Sequence, residues 1–222
     1  MIFGVLVFQD VEELDFIGPW EMLGMWAKFA RGPEKRLIVA QSSDPVACAK
    51  GLIVKPHVSF TQCPGLDFLL VPGGQGTRRE VENQVIIDFI ARQAKTAKAV
   101  LSVCTGAFLL HRAGLLSGRK ATTHWGSLEA LHALPGVTAV EERFVHDGNI
   151  WTSAGVSAGI DATLAFISAY AGEEAAGVVQ AAAEYYPAGR SYGAFPTNPK
   201  APAYLRQDPR LSTETDPDKD RP

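Results

Sequence analysis

The chain has 222 residues, of which 46% are hydrophobic and 20% are charged, so we expect a globular protein of one domain or at most two. A formal net charge of −3 argues against nucleic acid as a partner, and no apolar run reaches the ~18–20 residues that cross a membrane. Three cysteines without paired spacing indicate a reducing, cytoplasmic compartment. No cluster of histidines and cysteines has metal-ligand spacing, and we expect neither a metal nor a cofactor.

The first predicted elements are a strand over residues 2–8 and a helix over residues 20–30. The strand is apolar on both faces, which is typical of a parallel sheet that helices cover on both sides. Pro19 fits the first turn of the helix. Asp15 is therefore expected just before the helix, either as a capping or solvated residue or as a buried acid.

A short strand over residues 37–40 and a hairpin over residues 45–55 precede a second apolar strand, which ends at Val71. The glycine-rich loop Pro72-Gly73-Gly74-Gln75-Gly76 follows, and glycine lets a backbone approach a ligand closely. Its N–H groups could form half of an oxyanion hole, with a plain turn as the alternative. A helix is predicted next, over residues 83–95, because its apolar residues recur on one face.

The stretch around Cys104 has the layout of a nucleophile elbow. Apolar residues 99–103 predict a buried strand, and a helix over residues 107–113 follows Cys104 and Gly106. Such a turn delivers its residue to the edge of the sheet where open α/β folds bind ligands. The nearby helix N-terminus favours a thiolate. The alternative is that Cys104 is a small buried hydrophobic residue.

Short predicted strands and helices continue to residue 186. His124 follows a strand in a loop, Asp147-Gly148-Asn149 marks a hairpin turn, and Ser157 is predicted to cap a long helix. The alternation of strands with helices predicts an α/β sandwich with a mostly parallel sheet. We expect one domain over residues 1–190 and a C-terminal tail, rich in proline and charge, over residues 191–222.

A thiol nucleophile needs a partner that handles its proton, and the sequence offers two candidates. Asp15 would lie on the same sheet edge as Cys104 if the first strand is central. Burial would raise the pKa of the Asp15 carboxyl, so that its protonated form could donate to the thiolate. His124 is the alternative, because catalytic partners need only be close in space.

Five motifs follow one another in the order seen in the ThiJ/PfpI superfamily. They are Leu14-Asp15-x-x-Gly18-Pro19, Val71-Pro72-Gly73-Gly74, Ser102-Val103-Cys104-Thr105-Gly106-Ala107, Ala113-Gly114-Leu115-Leu116-x-Gly118 and Ala121-Thr122-Thr123-His124-Trp125. Over residues 1–186 the chain resembles this superfamily, and within it the isocyanide hydratase (isonitrile hydratase) branch. The resemblance implies a flavodoxin-like, class I glutamine amidotransferase-like fold.

The resemblance also implies an activity and a site. The activity is cysteine-dependent hydration of an isocyanide, a small-molecule substrate, to an N-substituted formamide without a cofactor. Cys104 and Asp15 would be catalytic, the N–H groups of Gly74 and Thr105 would bind the anion, and His124 would be auxiliary. Members of the superfamily usually form homodimers. We expect one here, and assign the interface to the aromatic residues of the first helix, including Trp26.

Two alternatives remain open on the sequence. One is a ligand-binding or redox-sensing protein, since similar motifs occur in the sensor domains of AraC-type regulators. Those regulators have a C-terminal helix-turn-helix domain, and the acidic tail expected here departs from that pattern. The other is an enzyme acting on reactive carbonyls. The peptidase and glyoxalase branches usually have His directly after the cysteine and Glu as the acid, where this chain has Thr105 and Asp15.

Overall fold

A computed structural model of the chain describes residues 1–186 and 202–205. The described strands are β1 (Ile2–Leu6), β2 (Lys35–Ala40), β3 (Val46–Ala47), β4 (Ile53–Val54), β5 (Val58–Ser59), β6 (Phe68–Val71), β7 (Ala99–Val103), β8 (Arg119–Ala121), β9 (Val137–Ala139), β10 (Phe144–Asp147) and β11 (Ile150–Ser153). The described α-helices are α1 (Glu13–Phe29), α2 (Thr77–Glu80), α3 (Gln84–Ala94), α4 (Gly106–Arg112), α5 (Leu128–His132), α6 (Ala158–Ala171) and α7 (Glu173–Ala182). Short 3-10 helices cover Trp125–Ser127 and Ala203–Leu205.

A seven-stranded sheet runs through the centre of the fold, in the order β10-β11-β7-β6-β1-β2-β5. All neighbouring strands are parallel except β10 and β11, which form the predicted hairpin. Helices α1, α6 and α7 pack together as one layer, and α2, α3 and α4 pack together as another. The predicted flavodoxin-like α/β fold, with a mostly parallel sheet, is therefore confirmed.

The order of the strands determines where the functional loops meet. From β1 the chain builds outward to β2 and β5, and it then returns to the other side of β1 to place β6 and β7. Strand order thus reverses between β1 and β6, and ligands in open α/β sheets bind at the carboxyl ends of the strands beside such a reversal. The segments that follow β1, β6 and β7 contain Asp15, Gly73 and Cys104.

The core packs an aromatic cluster between the sheet and one helix layer. Phe3 of β1 lies 5.6 Å from Phe68 of β6, measured between ring centroids, and the Phe166 ring of α6 meets Phe68 edge-on at 5.1 Å. Trp26 of α1 packs edge-on against Phe166 at 6.2 Å. Edge-to-face contacts add about 0.5–1.5 kcal/mol each to the stabilisation from burial. This cluster anchors α1 and α6 to the strands beside the strand-order reversal.

The predicted start of the first helix is wrong. Helix α1 begins at Glu13 rather than near residue 20, so Asp15 lies in its first turn and Pro19 lies inside the helix. A proline inside a helix costs ~3 kcal/mol because it lacks an N–H donor. The early start extends the helix over Phe16, whose side chain is buried and contributes about 1.5–3 kcal/mol. Tertiary burial therefore offsets the cost of Pro19.

The aromatic residues of α1 do not form the exposed surface that the sequence suggested. Trp26 is 1% exposed, within the core, and Trp20 is half-buried and stacks on His57 at 5.7 Å. Phe29 is exposed. The interface assigned to this helix is therefore wrong for Trp26, and the homodimer itself stays a prediction.

Smaller features of the chain agree with their predictions in part. Strands β3 and β4 pair as an antiparallel hairpin, and the turn between β10 and β11 has Gly148 at a positive φ of 65°. Ser157 precedes α6 but does not cap it through its side chain; its hydroxyl accepts a hydrogen bond from Arg143 instead. The predicted tail over residues 191–222 lies outside the described residues except for 202–205. None of the described helices is long and apolar enough to cross a membrane.

Candidate active site

Cys104 occupies a sharp turn between β7 and α4. Its φ of +56° lies in the left-handed region, which residues other than glycine seldom adopt. The backbone around it is held on both sides, since its N–H donates to the carbonyl of Ala154 at 3.1 Å and its carbonyl accepts from the Thr123 hydroxyl at 2.8 Å. At Gly106 a Cβ would lie 2.1 Å from the carbonyl oxygen of Val71, so glycine is required there. The predicted strand–turn–helix layout is present.

The turn opens into a small pocket at the carboxyl edge of the sheet. The volume of this pocket, called the reaction pocket below, is about 190 Å³. Its lining includes Cys104, Glu12, Gly74, Thr105, His124 and Val156. Four of the five residues that the sequence analysis selected thus surround one pocket, and the fifth, Asp15, is fully buried. Ligand sites in proteins are typically concave, with a few polar groups that converge on the ligand.

Asp15 is an acid without exposure to solvent. Its Oδ2 accepts a hydrogen bond of 2.8 Å from the N–H of Gly73, and its Oδ1 is buried without a hydrogen-bond partner in residues 1–186 and 202–205. Burial raises the pKa of the carboxyl from 3.8 to about 7; the Gly73 N–H opposes this rise and the charge of Glu12 adds to it. The Val156 N–H, although it makes no hydrogen bond of normal geometry to the carboxyl, lies close enough to oppose the rise as well. Asp15 therefore exchanges a proton near neutral pH, a property that general acids and bases share.

The charges of Cys104 and Asp15 are coupled. Burial raises the pKa of the Cys104 thiol to about 12, and the negative charge of Asp15 is the next cause of the rise; contacts from Thr105 oppose it. The helix N-terminus was expected to favour a thiolate, and the Thr105 backbone N–H at the start of α4 does lower the pKa of the thiol, but burial is the larger effect. When Asp15 takes up a proton, its own contribution to this rise disappears, whereas the smaller contribution of Glu12 remains.

The loop after β6 approaches the cysteine turn closely. A Cβ on Gly73 would lie 2.5 Å from the backbone nitrogen of Thr105 and 2.9 Å from Asp15 Oδ2. Gly74 has a φ of +124°, and its N–H donates to the Thr105 hydroxyl oxygen at 3.1 Å. An anion bound by the Gly74 N–H would have to share it with that hydroxyl. The anion-binding role of Gly74 and Thr105 stays a prediction.

His124 lines the same pocket from the segment after β8. Its Nδ1 accepts a hydrogen bond from the N–H of Gly126 at 3.1 Å, so a neutral ring carries its proton on Nε2. Burial lowers the pKa of the ring, the charge of Glu12 opposes that shift and the charge of Arg78 adds to it. A Cβ on Gly155 would lie 2.1 Å from the ring Cδ2. His124 is thus held in place as a neutral donor in the pocket wall.

Two further residues of the pocket were not found in the sequence. Glu12, directly before α1, lines the pocket and forms an ion pair with Lys50; its position three residues before Asp15 was the available signal. Val156 lines the pocket with a φ of +54°, which is strained for a β-branched residue. The residue type at position 156 gives no sign of this positive φ, because the strain depends on the path of the chain between β11 and α6.

The sequence profile of the DJ-1/PfpI family matches residues 3–169. The chain belongs to the DJ-1/PfpI family. This confirms the resemblance that the five motifs indicated, and it agrees with the cysteine turn and pocket described above.

The relatives of this DJ-1/PfpI protein include an enzyme and a transcriptional regulator. The chain is 41% identical over 186 residues to an isonitrile hydratase from Pseudomonas putida, which covers 83% of this chain and 78% of that protein. It is also 35% identical over 130 residues to the transcriptional regulator GbdR of Pseudomonas aeruginosa, which covers 58% of this chain and 35% of the regulator. Among solved structures, a ThiJ/PfpI family protein from Pseudomonas syringae matches with a TM-score of 0.81 and 35% identity, over 92% of this chain and 82% of that one.

Proposed function

We propose that this DJ-1/PfpI protein is an isocyanide hydratase that adds water to an isocyanide and releases an N-substituted formamide. The observation that carries the proposal is the coupled pair beneath the reaction pocket. Cys104 supplies a nucleophile, and Asp15 supplies an acid whose pKa of about 7 lets it both accept and return a proton. The likeness to the Pseudomonas putida isonitrile hydratase supports an isocyanide as the substrate.

In the first half of the proposed reaction, the Cys104 sulfur forms a bond to the isocyanide carbon. The thiol proton passes to the Asp15 carboxylate as the C–S bond forms, because the free thiolate is disfavoured by burial. Asp15 then returns the proton to the former isocyanide carbon, and the product is a thioimidate in which sulfur and nitrogen flank one CH group. Covalent attachment divides a difficult addition into two easier steps.

In the second half, water adds to the carbon of the thioimidate. One water proton goes to nitrogen, the C–S bond breaks, and the second water proton returns to sulfur through Asp15. The product is the formamide, and the enzyme regains its thiol, so isocyanide and water account for all atoms of the product. Negative charge that develops on nitrogen or oxygen is stabilised by the N–H groups of Gly74 and Thr105, with the Nε2–H of His124 as an auxiliary donor.

The test is direct formation of product. The protein is incubated with cyclohexyl isocyanide, and the formamide is followed by proton NMR. We expect turnover by the wild type and by Cys63→Ser, a matched control that removes a half-buried thiol outside the reaction pocket. Cys104→Ser is expected to form no product. Absence of formamide with the wild-type protein, or turnover by folded Cys104→Ser, would overturn the proposal.

One observation favours a second candidate, a protein that binds a ligand without turnover. The pKa of about 12 for Cys104 makes its resting thiol a poor nucleophile unless Asp15 assists it. Under this alternative the isocyanide binds but no formamide appears. The same pKa disfavours an oxidant sensor, because oxidation of a cysteine follows its thiolate character; a Cys104 sulfinate after mild peroxide, detected by mass spectrometry, would indicate such a sensor instead. The product assay and the mass measurement together separate these functions.

A further inference from the structure

A second pocket adjoins the reaction pocket and has no part in the chemistry described above. Its volume is about 220 Å³, similar to that of the reaction pocket itself. The two pockets share three lining residues, namely Arg78, Thr105 and Ser127. The two pockets therefore lie side by side along these residues, within a few ångströms of Cys104's neighbour Thr105.

The walls of the second pocket are apolar. Val81 follows α2, Phe108 lies on α4 and Ala130 lies on α5, and the pocket forms between these elements. Phe108 comes four residues after Cys104 and is half-buried, whereas its neighbours on α4 at 107, 109 and 110 are buried in the core. A large aromatic side chain that the core leaves partly uncovered beside a nucleophile offers contact area to an apolar ligand group.

Three polar side chains of this pocket, those of Thr77, Arg78 and Thr105, already make hydrogen bonds within the protein. The Thr77 hydroxyl donates to the Gly74 carbonyl at 2.7 Å and lies 3.0 Å from the Thr105 hydroxyl. Arg78, at the rim, donates to the same carbonyl at 3.2 Å, and no carboxylate lines the pocket among the described residues. The pocket thus contains no anionic partner for a cationic group, and an apolar group enters without breaking a hydrogen bond.

We propose that the second pocket is the binding site for the N-substituent of the isocyanide, an inference that rests on the proposed function. The C≡N–R unit is linear, so the substituent projects away from the carbon that Cys104 attacks. The lining selects neutral, apolar substituents that are cyclic, branched or aromatic. The substrate class is accordingly bulky alkyl and aryl isocyanides, with methyl isocyanide as a poor substrate.

The first experiment fills the second pocket from an exposed position. Ala130→Trp adds an indole at the α5 wall, and His132→Trp is the matched control, because residue 132 is exposed and lies about 200° around the same helix. We expect Ala130→Trp to lower kcat/KM for cyclohexyl isocyanide by roughly 10- to 200-fold, the range that steric changes in apolar pockets produce. The value for methyl isocyanide should change little, and His132→Trp should change neither. Equal loss for both substrates in Ala130→Trp alone would overturn the inference.

A second readout does not depend on turnover. Cys104 is alkylated with iodoacetamide and with N-benzyl iodoacetamide, and the ratio of the two rates is compared between wild type and Ala130→Trp. We expect the indole to slow the benzyl reagent selectively. If neither isocyanide is hydrated but the ratio shifts, the proposed function fails while the apolar pocket beside Cys104 stands. If isocyanides are hydrated but the ratio and the substrate preference are both unchanged, the pocket assignment fails. Should Ala130→Trp not fold, Phe108→Ala removes apolar contact area from the same pocket, and kcat/KM should then fall for cyclohexyl isocyanide and change little for methyl isocyanide.

Discussion

Replacing Asp15 by asparagine tests two properties of this acid independently. One is its effect on the free energy of unfolding, and the other is its role in proton transfer. The pKa of the carboxyl rises from 3.8 to about 7 in the folded chain because burial disfavours its charged form. The folded state therefore holds the proton more tightly than the unfolded state does. As pH rises from 3.8 towards 7, the unfolded chain ionises first, and the free energy of unfolding falls. This loss is absent in Asp15→Asn, which carries no ionisable group at this position.

The size of the effect follows from the pKa difference. A difference of one pKa unit corresponds to about 1.36 kcal/mol. Between pH 5 and pH 8, wild type should lose about 2.6 kcal/mol relative to Asp15→Asn, most of it below pH 7. The hydrogen bond from Gly73 is already included in the Asp15 pKa, and in Asp15→Asn it does not vary with pH. Urea denaturation at pH 5 and pH 8 measures the difference, and Asp44→Asn is the control for loss of an exposed carboxylate.

Asp15→Asn should fold stably but turn over its substrate slowly. Asparagine cannot transfer a proton, so we expect turnover to fall by roughly 10²–10⁴-fold, the usual contribution of a general acid or base. The pKa of Cys104 should fall below about 12, because the charge of Asp15 no longer raises it; the pH dependence of alkylation measures this. More thiolate together with slower turnover is the expected combination. An unchanged rate, or a stability difference that does not vary with pH, would refute the reasoning.

Three further predictions concern the surroundings of the pair. Gly73→Ala places a Cβ 2.5 Å from the Thr105 nitrogen, so urea denaturation should show a loss of about 1–3 kcal/mol, as overpacking produces; unchanged stability would contradict this close approach. His124→Ala should lower kcat/KM by less than about tenfold, whereas a loss in the range of 10²–10⁴-fold would assign the acid–base role to His124. Sedimentation at micromolar concentration should show a dimer, and a species of 23.9 kDa alone would exclude it.

The turn that contains Cys104 could be predicted from the sequence because its causes are local. Residues 99–103 are small or apolar, and Gly106 permits the close approach to Val71 that the turn requires. Strand β7 and helix α4 formed within a few residues of the predicted bounds. The parallel sheet was predictable for the same reason, since strands that are buried on both faces have continuous apolar runs that are visible in the local sequence.

The helix that contains Asp15 could not be placed from local signals. Proline preference located its start near residue 20, but α1 begins at Glu13. The burial of Phe16 in the added segment depends on the elements that pack over it. Trp26 was likewise assigned to an exposed surface, but it is buried in the core. In both cases the local preference was weaker than the free energy of burial against distant residues.

By itself, the sequence determined which residues are candidates for the chemistry and that Cys104 occupies a sharp turn at the edge of a parallel sheet. Only the tertiary structure decided their protonation. The Gly73 N–H that binds Asp15 lies 58 residues away along the chain, and the burial that raises both the Asp15 and the Cys104 pKa comes from segments after β1, β6, β7 and β11. Turn geometry depends on short-range backbone sterics, which a sequence encodes directly. Desolvation depends on what covers a group, which is known only once the chain has folded.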